Sequence, residues 1–157
     1  MEKASTVILK TVLVLAFVFG SGCNKESEDL SGPTKSIRLS YTYDLDDEDV
    51  IPHKESAVIP FGTSGRVYYI GPDNTLDAVN CEIVNLGKVY EKQIEIPQTD
   101  WTTTVDAEVG SNYIIRMKDG TYGRLSISDI TSRWNSSQPS LTTYYADVKF
   151  QDPYIPK

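Results

Sequence analysis

Histidine, cysteine and positive charge are all scarce in this 157-residue chain, which has one His, two Cys, and 15 Lys+Arg against 22 Asp+Glu. A single His excludes the His-rich metal centres and leaves general acid–base catalysis few participants. Setting the first 22 residues aside deepens the imbalance to 13 basic against 21 acidic groups, a net charge of −8. Such a surface repels phosphate backbones, and no basic cluster offsets it, so nucleic acid is excluded as a partner. No Gly-x-Ser-x-Gly elbow is present to offer a nucleophile to His53. Paired carboxylates for glycoside hydrolysis need a deep cleft that a domain of this size rarely encloses. The chain therefore reads as non-enzymatic, with no cofactor.

Long apolar runs are missing too. The longest, residues 12–19, has eight residues, well short of the ~20 that cross a bilayer as a helix. Lys3 and Lys10 precede it, and Gly20-Ser21-Gly22 then leads into Cys23. That order is a signal peptide over residues 1–22, and small residues before a Cys resemble the bacterial lipobox. The resemblance implies that Cys23 is lipidated and anchors the chain to a membrane, although Gly20 stands where lipoboxes usually carry Leu. Residues 23–35, with Glu26, Glu28, Asp29 and then Ser31-Gly32-Pro33-Thr34, are too polar to fold and form a tether. Acidic residues after the lipid Cys resemble the surface-export signal of Bacteroidetes lipoproteins, which implies the outer membrane and its outer face. With Cys23 lipidated, Cys81 has no disulfide partner, so the fold must hold by packing.

Residues 36–157 form one domain. Ile37, Leu39, Tyr41 and Tyr43 alternate with Arg38, Ser40 and Thr42, the period of a half-buried strand. Residues 66–70, 81–86, 89–96, 112–117, 122–127 and 143–150 are similarly rich in Val, Ile and Tyr. About seven or eight short strands predict an all-β antiparallel β-sandwich, immunoglobulin-like or barrel-like. One hairpin can be registered: a three-residue Lys118-Asp119-Gly120 loop puts Tyr113 opposite Leu125, Ile115 opposite Gly123 and Met117 opposite Thr121, with apolar groups on one face. Its other face carries Ile114, Arg116, Tyr122 and Arg124, with Arg116 placed to cover the Tyr122 ring. The three-then-four spacing of Ile127, Ile130 and Trp134 predicts a short helical turn, residues 136–140 a polar loop, and residues 152–157 an extended tail.

Three sets of residues are candidates for chemistry. Asp44, Asp46, Glu48 and Glu55 stand at positions 1, 3, 5 and 12 of an acidic segment, which suits calcium. Asp49 occupies the sixth position, where a sharp turn wants Gly, and Pro52 stiffens the ninth, so a solvated acidic loop is the competing reading. Trp134, with Arg133 and Asn135 beside it, offers an aromatic platform with hydrogen-bonding neighbours for a sugar or a protein partner. Trp101, also among polar neighbours, reads as a plug over the core.

The segments Cys81-Glu82-Ile83-Val84-Asn85-Leu86-Gly87, Ile94-Glu95-Ile96-Pro97 with Trp101, Val109-Gly110-Ser111-Asn112-Tyr113 and Asp119-Gly120-Thr121-Tyr122-Gly123-Arg124-Leu125 occur in an order that resembles short Bacteroides-type surface lipoproteins of a domain family of unknown function. The resemblance spans residues 37–127 and rests on turns and strands. Where those relatives carry Gly-His-Gly-Tyr, this chain has Gly110-Ser111-Asn112-Tyr113, so a role for that His does not transfer. The hairpin also looks distantly like haem-binding surface lipoproteins that hold iron through paired axial ligands; His53 with Met117 would be the pair here, and the lone His argues against it. The combined expectation is a lipid-anchored, surface-exposed outer-membrane protein acting as a binding or interaction module of unknown ligand. The alternatives are a glycan-capture accessory of a nutrient-uptake system and a structural or assembly protein of the envelope, joined to another chain through open strand edges.

Overall fold

Alternating burial organises the chain into strands. The computed structural model describes residues 32–44, 57–90, 94–138 and 140–156. Among them are nine strands: β1 (Lys35–Asp44), β2 (Val58–Phe61), β3 (Gly65–Ile70), β4 (Thr75–Val79), β5 (Cys81–Gly87), β6 (Thr104–Asp106), β7 (Asn112–Met117), β8 (Tyr122–Trp134) and β9 (Leu141–Tyr154). They pair antiparallel as a five-stranded sheet, β1-β9-β8-β7-β5, and a four-stranded sheet, β2-β3-β4-β6. The protein is a β-sandwich, as expected from the alternation.

The inward residues of both sheets meet in one core. Leu39, Ile59, Phe61, Val67, Tyr69, Leu76, Ile83, Tyr113, Ile115 and Leu125 are all completely buried there. Tyr113 brings a hydroxyl into this core and satisfies it twice, accepting from Glu108 N at 2.8 Å and donating to Asp106 O at 3.0 Å. Burial pushes its phenol pKa up. The chain passes from one sheet to the other at Asn80, whose left-handed φ of 60° suits Asn better than most residues. Residues 102–106 stitch the same corner: Thr102 exchanges both backbone hydrogen bonds with Ile83 of β5, at 2.8 and 3.0 Å, and Thr103 O accepts from Ala78 of β4 at 2.7 Å.

The β7–β8 hairpin has the register its side chains require, with Tyr113 opposite Leu125, Ile115 opposite Gly123, and Met117 N bonded to Thr121 O at 2.9 Å. Gly120 takes the left-handed conformation at φ 83°. Three sequence expectations fail. Residues 89–96 make no strand where described: Val89, Ile94 and Ile96 instead pack with Val84 and Ile114 on the outer face of the five-stranded sheet. The helical turn over Ile127, Ile130 and Trp134 is absent, because β8 runs unbroken to Trp134. The tail joins the sheet, since β9 continues to Tyr154 with a cis Asp152–Pro153 bond. Strands β2, β4 and β6 were not anticipated, and β8 and β9 are long at 13 and 14 residues.

Candidate functional site

The two ends of the sandwich differ. Gly32 enters beside the end of β9, donating its N–H to Pro153 O at 2.7 Å. At the other end of the same sheet, Asp44 pairs with Leu141 and Trp134 with Thr142. Nine residue steps of β1, at ~3.3 Å each, separate these ends by about 30 Å. Trp134 is therefore held far from the point where the chain enters the domain, and it is 58% exposed.

Directly opposed residues share a face. Trp134 thus lies in a row with Thr142 and Tyr43, next to a row of Ser132, Tyr144 and Tyr41. The same alternation turns Arg133 to the opposite face. Asn135 is engaged in the β8–β9 turn, where its Oδ1 accepts from Ser137 N at 3.0 Å. The structure therefore does not gather Arg133, Trp134 and Asn135 on one face; the residues in register with Trp134 across the sheet are Thr142 and Tyr43.

Trp101 covers the outer face of the five-stranded sheet. Its Nε1 donates to Pro97 O at 3.1 Å, and the indole packs in the cluster of Val84, Ile94 and Ile114. It is a plug, but over this second cluster and not over the sandwich interior. Arg116 does not cover Tyr122 as expected; its guanidinium lies over the Trp101 ring at 4.3 Å, and Trp101 in turn contacts Tyr122 at 6.3 Å between centroids.

Met117 is 6% exposed and packed in the core beside Cys81, so it is not displayed as an axial ligand; His53 lies outside the described residues. Cys23, Asp46, Glu48 and Glu55 also lie outside them, as does the side chain of Asp44. Cys81 donates weakly to Arg66 O and Val79 O, and burial pushes its thiol pKa up, away from reactivity.

A pocket that the sequence reading missed lies along the four-stranded sheet. Tyr41, Ala57, Tyr68, Tyr69, Ile70, Asp77 and Val79 line a volume of about 280 Å³. Tyr68 and Asp77 are register partners on β3 and β4. Val67 and Tyr69, Leu76 and Ala78 are buried in the core, so the alternation turns Tyr68 and Asp77 outward. Burial raises the Tyr41 phenol pKa, and the nearby charge of Asp73 adds to the shift. The Asp77 Oδ1 atom is buried and has no hydrogen-bond partner. Leaving a buried polar atom unsatisfied costs ~1–3 kcal/mol, more where it is charged, so this oxygen needs a reason to be there. The only sequence signal was Asp77 itself, a residue depleted in strands, set between apolar Leu76 and Ala78.

No family model matches the chain, and no curated protein matches it. Among solved structures, that of a Tannerella forsythia apo HmuY analog (TFO) aligns with a TM-score of 0.35 and 12% identity, covering 78% of this chain and 99% of that one.

Proposed function

We propose that the chain is a lipid-tethered, non-catalytic binding module of the outer membrane, exposed at the cell surface, that takes a small ligand in the pocket of Tyr41, Tyr68 and Asp77. The observation that carries this reading is the buried Asp77 Oδ1 without a donor in a tyrosine-lined pocket. Small-molecule sites are concave, mostly apolar, and use a few placed polar groups to orient the ligand. One carboxylate among tyrosines and aliphatic groups suits holding a ligand better than transforming it. A volume of about 280 Å³ accommodates a small molecule or one side chain of a larger one.

Two experiments test the reading. An NMR fragment screen should shift the resonances of Tyr68 and Asp77; a screen in which no compound touches them overturns the pocket assignment. Protease shaving of intact cells tests the exposure, and Cys23→Ser tests the anchor by releasing the chain from membranes. Survival of the domain until lysis, or continued membrane retention of the variant, refutes those parts.

Glycan capture is a second reading, favoured by the exposure of Trp134 at the far end of the sheet beside the hydroxyls of Ser132 and Thr142. Trp134 is not among the residues that line the Asp77 pocket, so Trp134→Ala should abolish sugar binding while leaving ligands of that pocket untouched.

A further inference from the structure

We infer that the ligand of the Asp77 pocket is a small organic cation, an alkyl ammonium or guanidinium group, free or carried on a larger molecule. The inference rests on the pocket being the ligand site. The pocket supplies two kinds of group that attract a cation. Asp77 offers a buried oxygen that accepts hydrogen bonds and receives none from the protein. Tyr41 and Tyr68 add aromatic rings and phenol oxygens, and both the face of an aromatic ring and an oxygen lone pair draw positive charge.

The charges around the pocket agree. Asp73, in the turn between β3 and β4, is close enough to act on Tyr41 and adds a second negative charge at that end. Arg66 is the basic residue of β3, and it does not fill the role: its Nη1 donates to Gly65 O at 2.7 Å, and Asp77 Oδ1 stays unpartnered. The whole chain carries a net charge of −7, which draws cations toward it and repels anions. A neutral hydroxyl would also donate to Asp77 Oδ1, but an ammonium or guanidinium N–H makes a charge-assisted hydrogen bond to a carboxylate oxygen, about twice as strong as a neutral one.

The test titrates the full chain with choline and n-butylammonium, and with 3,3-dimethylbutan-1-ol, which has choline's shape with carbon in place of the charged nitrogen. Binding is read by calorimetry and by shifts at Tyr68 and Asp77. One of the two cations should bind, and the neutral alcohol should bind about tenfold more weakly or worse. Asp77→Asn should weaken the cation by a similar factor without lowering Tm, because it removes a charge that has no partner in the free protein. Measurable and equal binding of choline and the alcohol, or full cation affinity in Asp77→Asn, overturns the cation assignment while leaving the pocket as a neutral-ligand site. Binding of neutral fragments but of neither cation does the same. If no compound of either kind moves these resonances, both the ligand class and the pocket reading fail. The comparison of probes on the parent chain holds even if Asp77→Asn does not fold.

Discussion

The guanidinium of Arg116 lies 4.3 Å over the Trp101 ring while its Nε and Nη2 both donate to Glu82 Oε2, at 2.9 and 2.6 Å. Glu82 and Arg116 are register partners on β5 and β7, and Trp101 arrives from the segment that crosses to the other sheet. One side chain thus fastens the outer cover to the sheet beneath it. Arg116→Met and Trp101→Leu, singly and together, should reveal a coupling of about 0.5–1 kcal/mol by chemical denaturation, the range for a partly exposed cation–π pair. Additive losses would mean that the ring and the guanidinium merely lie side by side.

Gly123 stands opposite Ile115, and the Phe61 ring occupies the space where a Cβ would go. The close approach joins the two sheets, because Phe61 belongs to β2 and Gly123 to β8. Gly123→Ala should therefore cost ~1–3 kcal/mol, as overpacking does. Pairing it with Phe61→Leu should restore part of the loss relative to Phe61→Leu alone. A variant as stable as the parent would show that the ring moves aside freely.

The hairpin was legible because only one register puts Tyr113, Ile115 and Leu125 on a common face, and the core demands that face. The helical misreading of residues 127–134 has an equally definite cause. At the bulge Ile127 pairs with Val148, but the next pair is Asp129 with Asp147, so Ser128 is extra and the inward positions shift by one. Ile127, Ile130 and Trp134 then fall at three-then-four spacing along a strand, imitating a helix. The segment around Ile94 misled for another reason: apolar residues that cover a sheet face carry the same composition as a strand within it. The Asp77 pocket was not legible, since it joins β1, β3 and β4 and only the fold brings Tyr41 to it.

Arg38 and Asp147 are register partners on β1 and β9, joined by two hydrogen bonds of 2.6 Å. Hydrogen bonding to Arg38 holds the Asp147 carboxyl below the usual carboxylate range. A depressed folded-state pKa stabilises the protein above the unfolded carboxylate range, and the benefit disappears as pH falls through the folded value. Asp147→Asn should thus lower Tm slightly at neutral pH, the pair being exposed, and the difference should vanish in acid. A Tm difference that persists below the folded pKa would assign the effect to packing.

Trp134 separates binding from stability. Strand alternation sets it on the face that carries Thr142 and Tyr43, beyond the buried core, and 58% of it stays exposed. Truncating such a residue is expected to change stability by about 0.5 kcal/mol or less, whereas loss of Trp101 removes part of a packed cluster and should cost several times that. The two indoles can be followed separately, since they are the only Trp in the chain: Trp134→Phe should leave the blue-shifted emission of a sheltered indole, and Trp101→Phe the red-shifted emission of a wet one. If Trp134 stacks on sugars, Trp134→Ala abolishes that binding at nearly unchanged Tm. A large fall in Tm would instead make Trp134 a packing residue, and sugar capture at the far end of the sheet would lose its platform.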